Sequence, residues 1–455
     1  MPKRLVVAGF RVVDRGIRAP YTHIPMTESA TMDVSDLVKE MGKRAKNAAR
    51  DLAILSTDRK NAALASLANL LLERSDLILS ENRKDLQRAE KNGISGALYD
   101  RLKLTPERIR NMAEGVRDVI SLPDPVGEEI ERLKPRAGLD IRKVRVPLGV
   151  IGIIYESRPN VTIDCAILCL KSGNATLLRG GSEAIDSNRV LAQTVRDALE
   201  QNGLNADAVQ LIPTTDRGIL NVFLRMEEEL SCIIPRGGEA LIRFVADNAT
   251  VPVIKHYTGV CNLYVHRDAD PELAVRLAVN AKTQRPGVCN AIENLFIDRA
   301  TAPDQLPRLA RALAEKGVTL RVDPAFDAHR ILEKEGIPFQ NASEDDFHTE
   351  YLDLILSIRV VEDSDAGIAA INHYGSAHSD AIVTENQEVA LEFLNRVDSA
   401  TVYWNASTRF TDGFEFGLGA EIGISTDKLH ARGPMGLREL CTYKYQIFGK
   451  GEILS

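Results

Sequence analysis

Residues 147–161 read Pro147-Leu148-Gly149-Val150-Ile151-Gly152-Ile153-Ile154-Tyr155-Glu156-Ser157-Arg158-Pro159-Asn160-Val161, an apolar run that ends in a polar turn. A near-continuous apolar run is typical of a strand that is buried on both faces of a parallel sheet. After the turn, the sequence predicts a helix from about Thr162 to Gly173 and a second strand at 175–178. This alternation of strand and helix indicates an α/β fold.

The order of strand, glycine pair and helix occurs twice. The strand at 175–178 leads into Arg179-Gly180-Gly181-Ser182-Glu183, and residues 230–234 lead into Pro235-Arg236-Gly237-Gly238-Glu239. A glycine pair here lets the backbone approach a ligand and directs free N–H groups at it. Neither turn has the G-x-G-x-x-G fingerprint, so tight turns without a ligand stay an alternative. Together they predict a doubly wound parallel sheet with a nucleotide at its switch point.

Residues 33–122 have helical patterns and show no chemistry. Thr57 is a predicted helix cap, Asn92-Gly93 is a predicted stop, and Thr105-Pro106-Glu107 is a predicted start. A turn-rich run at 122–127 ends this block, and the alternation at 140–146 then predicts a half-buried strand.

Cys289 is the candidate nucleophile. It follows an amphipathic helix on a glycine-containing turn, with Lys282 and Arg285 upstream. An accessible, electropositive setting lowers the pKa of a thiol and gives a nucleophilic thiolate, which favours chemistry on a carbonyl. A buried structural cysteine is the alternative, because free cysteines are among the most buried residues.

Composition excludes several classes of protein. The 455 residues are 44% hydrophobic and 27% charged, with a formal net charge of −7, which argues against a nucleic-acid surface. No apolar stretch approaches the ~18 residues that cross a bilayer. Six cysteines without C-x-x-C spacing indicate reduced thiols and a cytoplasmic location. Cys165 and Cys169 lie one helical turn apart, but no other soft ligand is near in sequence, so packing is favoured over a metal site.

The first residues differ from the rest in charge. Residues 1–25 carry five basic side chains against one acidic side chain, and their apolar pieces are too short for a secretory signal. We predict a disordered extension over 1–32, or a functional start at Met26 or Met32. An organellar transit peptide is the alternative.

An ordered set of motifs resembles a known family. The sequence resembles the gamma-glutamyl phosphate reductases of the aldehyde dehydrogenase superfamily, and the similarity extends from about Asp36 to the C-terminus. The motifs are residues 146–152, 155–161, 178–181, 234–238, 280–290, 407–413 and 430–436. The resemblance implies an aldehyde-dehydrogenase-like α/β fold and NADPH-dependent reduction of L-glutamyl 5-phosphate to L-glutamate 5-semialdehyde and phosphate, in proline biosynthesis.

The resemblance also implies catalytic residues. Cys289 matches the nucleophile of the superfamily, which would form a thioester with the substrate. Asn160 matches the side-chain donor that forms an oxyanion hole with the backbone N–H of Cys289. An Asx turn after Pro159 is the structural alternative for Asn160.

Cofactor positions follow from the same resemblance. Arg179, Gly180, Gly181 and Ser182 match the place where the superfamily holds the adenosine ribose and its 2′-phosphate. A guanidinium there suits a phosphate, and therefore NADP. The second nucleotide-facing turn is matched by Gly237 and Gly238. Glu350 aligns with the acidic residue on the nicotinamide ribose, with a solvated surface glutamate as the alternative.

Substrate contacts are predicted from charge, since glutamyl phosphate carries a phosphate, a carboxylate and an ammonium. The candidate cations are Arg158, Arg285, Arg409 and Arg432, Glu156 is the candidate for the ammonium, and no metal site is expected. For each of these side chains, the alternative to a substrate contact is a structural ion pair. Hydrolytic members of the superfamily activate water with a glutamate about thirty residues before the cysteine, a position that His256 occupies in this sequence.

The expected domains also follow the superfamily. They are an extension (1–32), an NADP-binding domain (33–127 and 147–266), a catalytic domain (267–425) and an oligomerisation element (128–146 and 426–455). A hairpin near 128–146 is expected to meet the C-terminal tail across a subunit boundary, which makes the protein at least a homodimer. A glutamate kinase that channels glutamyl phosphate is a candidate partner.

Two other functions compete with this interpretation. One is a hydrolytic NAD(P)-dependent aldehyde dehydrogenase on the same fold. The other is a cysteine hydrolase or acyltransferase that uses Cys289 with a histidine base and no redox cofactor.

Overall fold

The computed structural model of the chain describes residues 34–135 and 138–453. The extension predicted for 1–32 lies outside these residues. Within them, no helix is long and apolar enough to cross a membrane.

The first half of the chain consists of a helical block and a small parallel sheet. The elements are α1 (Val34–Leu52), α2 (Thr57–Glu73), α3 (Ser75–Lys91), α4 (Gly96–Leu102), α5 (Pro106–Ser121), β1 (Glu129–Leu133), β2 (Asp140–Pro147), β3 (Val150–Tyr155), α6 (Asn160–Lys171), β4 (Ala175–Gly180), α7 (Ile185–Gln201), β5 (Val209–Leu211), α8 (Ile219–Phe223), β6 (Cys232–Arg236) and α9 (Glu239–Asn248). The predicted helix start is confirmed, because Thr105 Oγ1 accepts from the N–H of Arg108 at 3.1 Å.

The small sheet confirms the doubly wound prediction. Its parallel order is β5-β4-β3-β6, and every residue of β3 is buried. The chain first adds strands on one side of β3 and then crosses to place β6 on the other side. The switch point of the sheet therefore lies beside β3, between the two glycine turns that follow β4 and β6.

The second half of the chain is a larger parallel sheet covered by helices. Its elements are β7 (Cys261–Val265), α10 (Pro271–Thr283), β8 (Ile292–Asp298), α11 (Ala302–Glu315), β9 (Thr319–Val322), α12 (Ala328–Lys334), β10 (Gln340–Asn341), β11 (Ile355–Val361), α13 (Ser364–Tyr374), β12 (Ser379–Val383), α14 (Gln387–Arg396) and β13 (Thr401–Trp404). The strand order is β10-β9-β11-β8-β7-β12-β13, with one apolar core on each face. Because β7 pairs with β8 and β12, the structure moves the boundary predicted at 266 to a point before Cys261.

The C-terminal region returns to the first half. Short strands β14 (Ile424–Ser425) and β15 (Gly433–Pro434) pair with each other, and side chains from Ile422 to Leu440 join the core of the first half. The last strand, β16 (Cys441–Phe448), pairs with β2, which also pairs with β1. The hairpin and the tail that were predicted to meet across a subunit boundary therefore meet within one chain.

Candidate active site

Cys289 lies at the amino-terminal edge of the large sheet, in the connection between α10 and β8. Gly259 precedes β7 at the same edge of the sheet and packs directly on Cys289. A Cβ atom on Gly259 would lie 2.6 Å from Cα of Cys289, so only glycine fits there. Arg236, the last residue of β6, opposes the effect of burial on the pKa of Cys289.

The predicted lowering of the Cys289 pKa is wrong. Cys289 is half-buried, whereas the five other cysteines are buried. Burial raises its pKa to about 12, and Glu350 acts in the same direction while Arg236 lowers it. The upstream lysine does not help, because Lys282 forms a fully buried ion pair with Glu293 at 2.5 Å. The thiol is therefore protonated near neutral pH in the free protein.

Asn160 begins α6, at the end of the polar turn that follows β3. Its side chain makes a contact within the helix in place of the alternative Asx turn: Nδ2 donates to Asp164 Oδ2 at 2.8 Å. The backbone N–H of Cys289, its predicted partner in the oxyanion hole, opposes the effect of burial on the pKa of the Cys289 thiol.

Four arginines surround the thiol. Arg158 and Arg409 both interact electrostatically with Cys289 and with Arg285, and Arg236 lowers the pKa of Arg158 and of Cys289. Among the residues that the structure describes, none of the four forms an ion pair. The structural alternative of an ion pair therefore does not hold for Arg158, Arg285 or Arg409. Clustered guanidinium groups that form no ion pair provide a site for an anion.

Arg432 has a different role. Its Nη1 pairs with Asp398 Oδ1 at 2.9 Å, and its Nη2 donates to the carbonyl of Asp398 at 2.8 Å. Arg432 therefore forms a structural ion pair, which was the alternative to a substrate contact, and we leave it out of the substrate site.

The polar turn after β3 connects the two glycine turns. Ser157 donates from its N–H and its Oγ to Glu183, at 2.6 and 3.0 Å. Glu156 accepts from the N–H of Gly238 at 3.1 Å, so the carboxylate predicted for the substrate ammonium lies at the second nucleotide-facing turn. A Cβ atom on Gly237 would lie 2.5 Å from this same carboxylate, which explains the glycine.

The first glycine turn holds Arg179 in a buried position. Its Nη1 donates to the carbonyl of Gly180 at 3.0 Å and its Nη2 to that of Thr215 at 3.4 Å, while its buried Nε has no partner among residues 34–135 and 138–453. Burial lowers the pKa of Arg179. At the second turn, space for a Cβ atom on Gly238 is open. An orphan donor at one turn and open backbone at the other fit a phosphate-bearing cofactor.

Glu350 lies next to the thiol. It is half-buried and raises the pKa of Cys289, and the backbone N–H of Gly259 stabilises its ionised form. Burial raises its own pKa. The alternative of a solvated surface glutamate is therefore wrong, although a contact with a nicotinamide ribose stays a prediction.

His256 is a half-buried imidazole in this structure. Burial lowers its pKa to about 4, and Arg236 acts in the same direction. Its Nδ1 lies 2.9 Å from the carbonyl oxygen of Ile424. A carbonyl only accepts, so Nδ1 carries the proton and Nε2 keeps its lone pair.

The sequence interpretation missed four residues of this site: Asp164, Arg236, Gly259 and Glu421. Arg236 stands in a motif from which only the two glycines were used. Glu421 carries no local signal, because its position beside Cys289 depends on tertiary structure. Asp164 does carry one, because it stands four residues after Asn160 on the predicted helix, a spacing at which side chains contact each other.

Comparison with known proteins identifies the family. The profile described as "Aldehyde dehydrogenase family" matches residues 15–331, more than half of the chain. The chain therefore belongs to the aldehyde dehydrogenase family, a class of nicotinamide-dependent oxidoreductases, and the predicted fold is confirmed.

Within that family, the most similar proteins have one name. Gamma-glutamyl phosphate reductase of Opitutus terrae is 55% identical over 93% of this chain and 99% of its own length, and that of Moorella thermoacetica is 54% identical over 93% and 100%. The crystal structure of gamma-glutamyl phosphate reductase from Thermotoga maritima has a TM-score of 0.88 and 46% identity, covering 91% of this chain and 99% of that one. These matches confirm the resemblance to the gamma-glutamyl phosphate reductases.

Proposed function

We propose that this protein catalyses the NADPH-dependent reduction of L-glutamyl 5-phosphate to L-glutamate 5-semialdehyde and phosphate, a step of proline biosynthesis. The observation that carries the proposal is the set of unpaired guanidinium groups around Cys289. A thiol nucleophile beside an anion site suits an acyl phosphate, in which the leaving group is itself an anion. The names of the similar proteins support the same reaction.

Cys289 would act as the nucleophile. Its sulfur attacks the acyl carbon, the bond from that carbon to the phosphate oxygen breaks, and phosphate leaves with the electron pair. The proton of Cys289 is lost to solvent on attack, because the imidazole of His256, whose pKa burial lowers to about 4, is a weak base. When bound, the reduced nicotinamide supplies a hydride to the acyl carbon. Collapse of the resulting oxyanion breaks the carbon–sulfur bond and releases the aldehyde.

The oxyanion of these steps would be held by Asn160 and the N–H of Cys289. One N–H of the Asn160 amide is used by Asp164, and the other is free to donate. Loss of one such donor typically lowers the rate by about 10² to 10³.

Phosphate would bind between Arg285 and Arg409. The charge of Arg285 lowers the pKa of Arg409, so the two guanidinium groups repel each other in the free protein. Arg409 is fixed by a 2.9 Å hydrogen bond from Nε to Gln284, and Asn290 holds the backbone of this segment through the carbonyl of Thr411 at 2.8 Å. A dianion between the two arginines removes the repulsion.

The cofactor would be NADPH. Gly180, Gly181 and Ser182 would hold its ribose and 2′-phosphate near Arg179, and the second turn with Gly237 and Gly238 would lie on its pyrophosphate side. The orphan Nε of Arg179 supports a phosphate in place of a hydroxyl. The unit built on the small sheet would be the NADP-binding domain, and the unit built on the large sheet the catalytic domain.

The protein would act as a homo-oligomer in the cytoplasm. Strand β16 is an edge of the three-stranded sheet, and it exposes Tyr443, Tyr445, Ile447 and Phe448, between 49% and 60% accessible. An exposed apolar edge strand favours pairing with another copy of the same chain. The molecular mass in solution tests this part of the proposal.

The reverse reaction provides the test of function. Glutamate 5-semialdehyde is mixed with NADP⁺, with and without inorganic phosphate, and NADPH is followed by absorbance. We expect NADPH only with phosphate, together with an acid-labile acyl phosphate. Equal rates with and without phosphate would support the hydrolytic alternative, and no reaction with any cofactor would overturn the proposal.

A further inference from the structure

Arg236 and Arg158 are the two of the four cations that the assignment of phosphate leaves unused, and Arg236 is the one with an opposite charge on a neighbouring segment. Its side chain lies over Gly423. A Cβ atom at that position would be 2.8 Å from Nη1 of Arg236, so the guanidinium can take this position only beside a glycine. In the part of the chain that the structure describes, this guanidinium has no ion-pair or hydrogen-bond partner. Its charge opposes the effect of burial on the pKa of Cys289.

Glu421 supplies the opposite charge in the same place. Its Oε2 accepts from the N–H of Gly413 at 3.0 Å, and Oε1 has no partner among the described residues. Burial raises the pKa of Glu421, and Arg236 is the largest influence that lowers it. Glu421 also raises the pKa of Cys289, so its carboxylate lies near the thiol.

Glu421 stands two residues before Gly423, the glycine that the Arg236 side chain covers, so the two charges lie on neighbouring segments without a direct ion pair. They influence each other's ionisation, yet the ion pairs of the described residues do not include one between Arg236 and Glu421. A partly buried charge is costly unless a partner compensates it. A phosphate would suit Arg236 but would set a like charge against Glu421. A group that carries a carboxylate and an ammonium on one carbon provides a partner for both.

We propose that Arg236 and Glu421 form the subsite for an α-amino acid head group, in which Arg236 binds the α-carboxylate and Glu421 binds the α-ammonium of the substrate. This inference rests on the proposed function and assigns the ammonium to Glu421 in place of Glu156, which is bonded to Gly238. The cations then divide by role, since Arg285 and Arg409 hold the phosphate at the other end of the glutamyl chain.

Three aldehydes test the subsite in the phosphate-dependent reverse reaction. Glutamate 5-semialdehyde carries both head-group charges, 5-oxopentanoate lacks the ammonium, and butanal lacks both. We expect Glu421→Gln to lower kcat/KM about 10- to 100-fold with the semialdehyde and at most about twofold with 5-oxopentanoate. Arg236→Gln should lower kcat/KM with both carboxylates about tenfold more than it lowers kcat/KM with butanal, which has no head group. Each value is compared with the unaltered protein on the same aldehyde.

Glu415→Gln is the matched control, because Glu415 is exposed on the same segment as Glu421. It should leave all three values unchanged. The rate with 5-oxopentanoate and the melting temperature show whether Glu421→Gln still folds, and competitive inhibition by L-glutamate and by glutarate gives the same comparison without turnover.

Two failures are distinguishable. Equal losses on every aldehyde would mean that Arg236 and Glu421 act on the thiol and not on the head group, and the subsite would be wrong. If the unaltered protein turns over none of the three aldehydes in phosphate, the proposed function fails instead. The subsite is then tested by the binding of L-glutamate to the unaltered protein and to Glu421→Gln. Equal affinity of L-glutamate for the two proteins would overturn the subsite too.

Discussion

The side-chain amide of Asn160 donates a hydrogen bond to the carboxylate of Asp164, with Nδ2 2.8 Å from Oδ2. An ionised carboxylate only accepts, so the nitrogen of the amide, and not its oxygen, must face Asp164. The second N–H of that nitrogen then has a fixed direction. Asp164 is therefore a positioning residue for the proposed oxyanion donor.

We expect the activity to fall as the pH drops below about 6. Burial raises the pKa of Asp164 to about 6, although Asn160, Arg236 and Arg158 lower it. Above that pH the ionised carboxylate fixes the amide, whereas the protonated acid below it can donate to the amide oxygen and allow the amide to turn. The measurement is kcat between about pH 5 and about pH 8.

Asp164→Asn tests the assignment of this pH dependence. We expect kcat near neutral pH to fall about tenfold or more, and the dependence near pH 6 to disappear. Asp247→Asn is the control, because Asp247 is exposed on α9. This variant should keep the kcat near neutral pH and its dependence on pH near 6. A variant at Asp164 that retains the same acidic limb would show that another group titrates there.

Alkylation should be selective for Cys289 and slow near neutral pH. Cys289 is the one half-buried thiol among six, and burial raises its pKa to about 12, so little thiolate is present in the free protein. The labelling rate with iodoacetamide should rise about tenfold for each unit of pH between about 7 and about 10. A rate that levels off below about pH 8 would contradict the raised pKa.

Cys289→Ala tests the nucleophile itself. We expect it to remove the labelling and to abolish turnover, while NADPH binding and the melting temperature stay close to those of the unaltered protein. Retention of about a tenth of the activity or more would refute the covalent mechanism.

Local patterns predicted most of the fold. The apolar run before Tyr155 predicted a strand that is buried throughout, and the capping residues near Thr105 predicted a helix that begins at Pro106. These features depend on neighbours in sequence, which is why they are readable there. The boundary at 266 was wrong because the pairing of β7 with β8 and β12 is a contact between distant residues.

Electrostatics of the site could not be predicted from the sequence. Lys282 stands seven residues before Cys289, but the fold buries it against Glu293, so its charge is neutralised. Glu350 and Glu421 reach the thiol from segments far along the chain and raise its pKa. Ionisation depends on burial and on the nearest charges, and both are set by tertiary structure.

Arg179 should determine the choice of cofactor. We expect Arg179→Met to raise KM for NADPH about tenfold or more, because a guanidinium near the 2′-phosphate is lost, and to change KM for NADH less than about twofold. Since Arg179 bonds the carbonyls of Gly180 and Thr215, the melting temperature is measured alongside. Equal increases for both cofactors would show that the residue only supports the turn.

His256 should decide whether water can compete with phosphate. The imidazole is neutral and its pKa is lowered to about 4, which makes it a weak base toward water. We expect semialdehyde oxidation in the unaltered protein to depend on phosphate, and His256→Glu to raise the rate without phosphate several-fold by supplying a carboxylate. His256→Gln is the matched control, because it has the same size as glutamate and no basic group, and it should not raise that rate. If His256→Gln increased the phosphate-free rate as much as His256→Glu, access of water and not general base catalysis would limit hydrolysis, and the weak basicity of His256 would not be the cause of the phosphate dependence.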